Sequence, residues 1–184
     1  MDDIKIADLS PKKADGEEES EIDEQLLALI QEQKSNGNIE KAHQLAMELS
    51  AEVGANDDEY LLDADSFKEV VMQRRLLLAF SIISSLDSLC PNPLIATITK
   101  NHFYDNIQEL SPQIYDDIGE NTAFSYYYLC LRDNDGDPAK CIGATFAKLC
   151  GNEGSKIYRE LGENLYNFFV NVVSEGIEKL HFAT

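Results

Sequence analysis

Tryptophan is absent from the 184-residue sequence, and cysteine occurs only four times. Cys90, Cys130, Cys141 and Cys150 form no CxxC pair, and four cysteines in a chain of this length are too few for a disulfide scaffold. Apolar, helix-like sequence surrounds the last three. The sequence therefore favours reduced, buried cysteines, with a zinc site completed by a histidine as the alternative.

Long apolar runs are also missing. The longest, LLLAFSII at 76–83, has eight residues, whereas a membrane-spanning helix needs about 20. The first 24 residues contain no basic segment followed by an apolar block, so we expect no signal peptide. The cytoplasm is the default location, and no membrane partner is expected.

Positive charge is scarce: 15 basic side chains stand against 34 acidic ones, for a net charge of −19. Residues 1–65 hold 19 acidic and 5 basic side chains, and residues 66–184 hold 15 and 10. Such a field repels nucleic acid and anionic lipid and favours a basic partner. We therefore expect no direct binding to nucleic acid, although high charge can also serve solubility alone.

Recognisable catalytic motifs are missing as well. The chain has no GxSxG, GxGxxG or GxxxxGK[ST] pattern. His43, His102 and His181 form no HExxH pair, and none has a cysteine or second histidine three or four residues away. We predict no catalytic, metal-binding or cofactor-binding residue, which favours a protein that is not an enzyme.

One stretch, RDNDGDPAKC at 132–141, looks like a metal site because Asp133, Asp135 and Asp137 alternate as calcium ligands do. A helix-flanked calcium loop also needs glycine at position 6 and glutamate at position 12. Counted from Asp133, these positions hold Pro138 and Ala144. The stretch is better interpreted as a turn in which Asp137 caps a helix that begins at Pro138.

What the chain has in abundance is helical periodicity, and no stretch shows the sustained alternation of a β-strand. We predict an all-α fold: a single-domain helical bundle of about six to seven helices with a long C-terminal amphipathic helix. Residues 1–20 are expected to be a flexible acidic segment, 21–65 an acidic helical hairpin and linker, and 66–184 the main helical bundle.

Within 21–65, one helix is expected to end at Gly37 and a second to be capped by Asn38. The pair resembles a tetratricopeptide-type hairpin at Leu26, Leu29, Gly37, Ala42 and Ala46. That motif's usual small and aromatic residues are replaced by Ile30 and Gln33, and no second copy follows at a spacing of about 34 residues. The sequence predicts a hairpin and not a repeat array.

Capping residues and prolines predict where the later helices begin. Ser66 and Glu69 form a capping box before a helix to about Leu89, which is apolar on two faces and is expected to be central. Further helices are expected to begin near residues 93, 112 and 138. The second of these should continue through the run YYYLCL.

The last helix, from about 155 to 181, has an apolar stripe expected to face the core: Tyr158, Leu161, Leu165, Phe168 and Val172, continued with a shift by Val173, Ile177 and Leu180. Glycines inside helical patterns lower helix stability by up to about 1 kcal/mol each relative to alanine. We expect close contacts between helices at these glycines, which are Gly119, Gly143, Gly162 and Gly176.

Tyr126, Tyr127 and Tyr128 spread aromatic side chains over nearly 200° of a helix, at about 100° per residue. At least one should therefore reach the surface, and the simplest expectation is two in the core and one at its edge. The alternative is a hydrophobic groove with hydroxyl groups for a peptide or small molecule. Arg132 lies one turn beyond Tyr128, so these four residues are the candidate binding site.

Three functions remain open. The favoured one is a non-enzymatic module that binds another protein, with a basic protein among the options, through a helix groove or its acidic hairpin; self-association is also open. The second is an acidic mimic of nucleic acid that occupies a basic protein, in which Asp57, Asp58 and Glu59 would take part. The third is a ligand-binding protein or enzyme with a site between the helices.

Overall fold

In a computed structural model, the described residues are 15–54, 65–120, 122–132 and 136–183, with backbone only for 15–23 and 65–67. These residues form eight helices and no strand, which confirms the all-α class. The helices are α1 (Asp15–Ser35), α2 (Asn38–Gly54), α3 (Asp65–Leu89), α4 (Pro93–Leu110), α5 (Pro112–Glu120), α6 (Ala123–Arg132), α7 (Pro138–Leu149) and α8 (Lys156–Leu180).

The helix starts at residues 93, 112 and 138 are confirmed. Asn92 Oδ1 accepts a hydrogen bond from the Ile95 backbone N–H at 3.0 Å, and Asp137 Oδ1 accepts one from Ala139 N–H at 3.1 Å. In both helices proline follows the cap, where its missing N–H leaves no hydrogen bond unmade.

The segment from 112 to 132, expected as one helix, forms two. The Thr122 carbonyl accepts the Tyr126 N–H at 3.2 Å, so Thr122 lies at the start of a new helix. Threonine is favoured just before a helix and disfavoured inside one, because its hydroxyl forms hydrogen bonds with nearby backbone groups. The expected helix was therefore wrong at this join.

The chain divides into two compact units, Met1–Asn36 and Gly37–Thr184. In the second unit α3 contacts every other helix, which confirms it as the central helix. Its middle is buried on all sides, as at Leu76, Phe80 and Ile82, and the guanidinium of Arg74 lies 5.8 Å from the centre of the Phe169 ring in α8.

The crossing of α7 and α8 depends on two glycines. A Cβ atom at Gly143 would collide with the backbone oxygen of Arg159 and lie 3.0 Å from the backbone nitrogen of Glu163. A Cβ atom at Gly162 would lie 2.6 Å from the Cβ atom of Phe146. The expectation of close helix contact is confirmed at both positions.

This crossing corrects the expected orientation of α8. Its buried positions are Gly162, Phe169 and Val173, whereas Leu161 and Phe168 are 39% and 59% exposed. The prediction that Leu161 and Phe168 face the core was wrong. The reason is that Gly162 must face α7, which rotates the two larger side chains outward.

The other two glycines behave differently. A Cβ atom at Gly176 would lie 3.0 Å from Leu45 Cδ1, the end of a flexible side chain. No atom lies within 4 Å of the Cβ position at Gly119, so the expected close contact is wrong there.

Asn38 connects α2 to the segment after α8. Its side-chain amide donates to the Ala183 carbonyl and its side-chain oxygen accepts from the Ala183 N–H, both at 2.8 Å. Asn38 is fully buried, and Lys41 Nζ donates to the His181 carbonyl at 2.7 Å. The two complementary bonds satisfy a buried amide, which would otherwise destabilise the fold.

The expectation that all cysteines are reduced is wrong for two of them. Cys130 in α6 and Cys141 in α7 form a disulfide, with their Cα atoms 5.5 Å apart. The turn between these helices brings the two cysteines together, which a spacing of 11 residues could not indicate. Cys90 and Cys150 are free thiols, and burial raises their pKa values to about 11 and about 12.

Several predictions lie outside the described residues: most of the flexible segment 1–20, the linker at 55–64, and Asp133 and Asp135 of the acidic turn. The Ser66 side chain of the predicted capping box also lies outside them. The division at residue 65 stays a prediction, although α2 packs against α4, α8 and α3 in the second unit.

Gly143→Ala and Gly162→Ala should each lower the free energy of unfolding by about 1–3 kcal/mol, because the added methyl group forces α7 and α8 apart. Urea unfolding followed by circular dichroism measures this change. Gly119→Ala is the matched control: its Cβ meets open space, and alanine should stabilise α5 by up to about 1 kcal/mol. Equal effects at all three positions would contradict the close crossing.

Candidate functional site

The tyrosine run divides between the core and the surface. Tyr127 is fully buried, whereas Tyr126 and Tyr128 are each 45% exposed. The expectation that at least one tyrosine reaches the surface is confirmed. The expectation that two of them lie in the core was wrong, because only Tyr127 does. Consecutive residues of a helix are about 100° apart, so burying the middle one leaves both neighbours beside the buried face.

Tyr128 lines a cavity of about 280 Å³ between α4, α5 and α6, here called the aromatic pocket. Tyr104 comes from α4, and Tyr128 and Phe124 come from α6. The α5 wall consists of Tyr115, Ile118 and Gly119. The walls are therefore mostly aromatic rings, with Gly119 as a side-chain-free opening.

Burial raises the pKa values of the Tyr104 and Tyr128 hydroxyls, and the negative charge of Asp87 raises both further. Both hydroxyls stay protonated at neutral pH and can donate hydrogen bonds. Asp87 itself forms an ion pair with Lys100. The pocket thus combines apolar walls with two neutral hydrogen-bonding groups.

The helix that supplies half of the pocket lining is acidic. Asp116, Asp117 and Glu120 lie on α5 beside the lining residues. Burial raises the pKa of Asp117, and the nearby charges of Asp116, Glu120 and Glu69 raise it further. The like charges around Asp117 create a negative potential that a cationic group would relieve.

Arg132, the predicted cationic partner of Tyr128, is exposed at the end of α6 and is not among the pocket-lining residues. The structure instead places the Lys148 ammonium of α7 5.7 Å from the centre of the Tyr126 ring, within the range of a cation–π interaction. The sequence does not indicate this pair, because its members are 22 positions apart on different helices.

Two histidines that the sequence treats as unrelated are neighbours. The rings of His43 in α2 and His102 in α4 have centres 3.8 Å apart, tilted by 49°. Burial and the charge of His102 lower the pKa of His43, while Glu40 opposes this. In the part of the chain that the structure describes, no group of three or more His, Cys, Asp and Glu side chains could hold a metal ion.

No protein-family model, curated protein or solved structure matches the chain. Among the helices of the described ranges, none is both long enough and apolar enough to cross a bilayer. The candidate site therefore has to be interpreted from its own geometry.

Tyr127→Phe should raise the free energy of unfolding by about 1 kcal/mol, because the Tyr127 hydroxyl is buried without a hydrogen-bond partner among the described residues. Chemical denaturation measures the change. Tyr128→Phe is the control, and removal of its partly exposed hydroxyl should change stability by less than about 0.5 kcal/mol. A clear loss of stability in Tyr127→Phe would show that the hydroxyl makes a stabilising bond.

Stability should fall as the pH drops below about 6.5, the ordinary histidine pKa. The folded protein lowers the pKa of His43, so the unfolded chain takes up the proton more readily as the pH falls. His43→Gln should weaken this dependence between about pH 7.5 and about pH 5.5 in denaturation measurements. Circular dichroism at pH 7.5 checks that the variant retains its helices, and an unchanged pH dependence in His43→Gln would contradict the expected role of His43.

Proposed function

We propose that the protein is a non-enzymatic interaction module built on a single-domain helical bundle. The aromatic pocket receives one apolar or aromatic side chain from a partner protein, and the acidic surroundings bind basic residues beside that anchor. The observation that carries this proposal is the cavity of about 280 Å³ with Tyr104, Tyr115, Phe124 and Tyr128 in its walls.

The cavity can accept one anchoring side chain and lies at the lower end of the size range of sites for small molecules, which usually enclose about 300–1,000 Å³. Single aromatic or aliphatic anchors in well-packed pockets often dominate protein interfaces. The two neutral tyrosine hydroxyls can bind the backbone or a polar tip of the inserted segment.

Charge specifies the rest of the partner. Asp87 acts on the pocket tyrosines and pairs with Lys100, and Asp116, Asp117 and Glu120 lie on the α5 helix. A segment with lysine or arginine beside its anchor would match this potential. Complementary charge mainly accelerates association and selects the partner.

The two other functions have less support. Asp57, Asp58 and Glu59, which the nucleic-acid mimic would use, lie outside the described residues. An enzyme acting at the aromatic pocket would need a base or nucleophile there, and the lining residues offer only protonated tyrosine hydroxyls. We keep the cytoplasm as the expected location, where a disulfide such as Cys130–Cys141 would be transient and open to exchange with thiols.

The proposal is tested by selecting peptides from a random display library on the immobilised wild-type chain. Enriched peptides should carry an aromatic or large aliphatic residue with lysine or arginine within a few positions. Fluorescence anisotropy of one labelled peptide then gives its affinity. Salt screens the exposed charges around the pocket, so binding should weaken as the salt concentration is raised. It should not be lost, because the anchoring side chain stays in the aromatic pocket.

Two variants locate the binding site. Tyr128→Ala removes a wall, and Gly119→Leu places a side chain in open space at the pocket wall; each should weaken binding at least about tenfold. Tyr126→Ala is the matched control because Tyr126 is equally exposed, neighbouring and outside the pocket. Peptides without basic residues, or equal losses in Tyr126→Ala and Tyr128→Ala, would contradict the proposal.

A further inference from the structure

The disulfide between α6 and α7 is reachable from one side. Cys130 is buried, whereas Cys141 is exposed and lines a second cavity of about 330 Å³. The other lining residues come from α7, the connection to α8 and the first turns of α8: Ala144, Thr145, Lys148, Glu153, Gly154 and Arg159. We call this cavity the cysteine pocket.

The cysteine pocket is positive although the chain carries a net charge of −19. Lys148 and Arg159 contribute two cations against the single carboxylate of Glu153. Gly154 and Arg159 flank the start of α8, where Ser155 caps the helix and the helix dipole adds positive potential. A small anion is therefore favoured here over a neutral or cationic molecule.

We propose that the cysteine pocket binds a small thiol bearing a carboxylate and directs its sulfur to Cys141. The carboxylate pairs with Lys148 and Arg159, and the sulfur faces the exposed half of the disulfide. This activity is separate from the aromatic pocket and does not depend on the proposed partner binding there.

The reaction is a thiol–disulfide exchange. The ligand thiol loses its proton, and its thiolate attacks Cys141 Sγ; a new S–S bond forms there as the Cys130–Cys141 bond breaks. The bonding electron pair leaves on Cys130 Sγ, which takes up a proton and becomes a buried thiol. A second ligand thiol can then attack the ligand sulfur, which releases Cys141 as a thiol and the ligand as its symmetrical disulfide.

Thr145 is placed to assist the leaving sulfur. Its hydroxyl lies 3.5 Å from Cys130 Sγ and can donate a hydrogen bond as negative charge develops there. The thiols of Cys90 and Cys150 do not attack the disulfide in place of the ligand, since burial raises both pKa values and keeps them protonated. Thr145 acts as a positioning residue, and the ligand touches Cys141.

The test uses the oxidised full-length chain and three thiols that differ in charge: 3-mercaptopropionate, 2-mercaptoethanol and cysteamine. Mass spectrometry follows adduct formation, and peptide mapping locates the adduct. Each rate is divided by the thiolate fraction and by the rate at which the same thiolate attacks a small-molecule disulfide, which removes differences in intrinsic nucleophilicity. The anionic thiol should react about tenfold faster than the cationic one. The adduct should lie on Cys141.

Matched double variants separate the pocket from the overall charge. Lys148→Gln with Arg159→Gln should remove the preference for the anionic thiol. Lys140→Gln with Lys156→Gln changes the net charge equally at exposed positions outside the pocket, and should retain the preference. Thr145→Val should slow all three thiols alike, and Thr145→Ser should restore the rates.

Four results would overturn the inference: equal corrected rates for the three thiols, equal losses in the two double variants, an adduct on Cys130, or a chain that forms no Cys130–Cys141 disulfide under an oxidising buffer. Circular dichroism of each variant verifies that its helices are retained.

Discussion

The close approach of α7 and α8 at Gly143 and Gly162 is the constraint on which the cysteine pocket depends. At each glycine one helix lacks a side chain and the other helix occupies the space: Gly143 lies against the backbone of Arg159 and Glu163, and Gly162 lies against the Phe146 side chain. This contact fixes the rotation of α8. Phe169 then faces Arg74 of α3, and Arg159 comes beside Lys148 at the cysteine pocket. A side chain at either glycine would displace both the contact between Phe169 and Arg74 and the lining of the cysteine pocket.

The sequence was sufficient wherever local chemistry decides the structure. Proline after a capping residue predicted the starts of α4 and α7, because the missing N–H and the side-chain acceptor act within one turn. The rotation of α8 was not fully predictable in this way, because Leu161 and Phe168 fit the apolar stripe as well as the residues that pack against the core. Only the partner of Gly162, which is Phe146 in another helix, distinguishes the two faces.

The candidate site was predictable in part for the same reason. The tyrosine run indicated an aromatic helix with at least one ring at the surface, and Tyr128 does line a pocket. Tyr104 and Tyr115 complete that pocket from two other helices, so no spacing within one helix could indicate them. The disulfide was missed because free and bonded cysteines have similar apolar surroundings. Helix α6 links both pockets, since it carries Tyr128 and Cys130.

The paired hydrogen bonds between Asn38 and Ala183 join positions separated by 145 residues. A chain emerging from the ribosome therefore cannot satisfy the Asn38 amide until residue 183 has been synthesised and has left the exit tunnel. Until then α2 packs against α4 without the two hydrogen bonds to Ala183. These two bonds are therefore among the last tertiary contacts that the nascent chain can form.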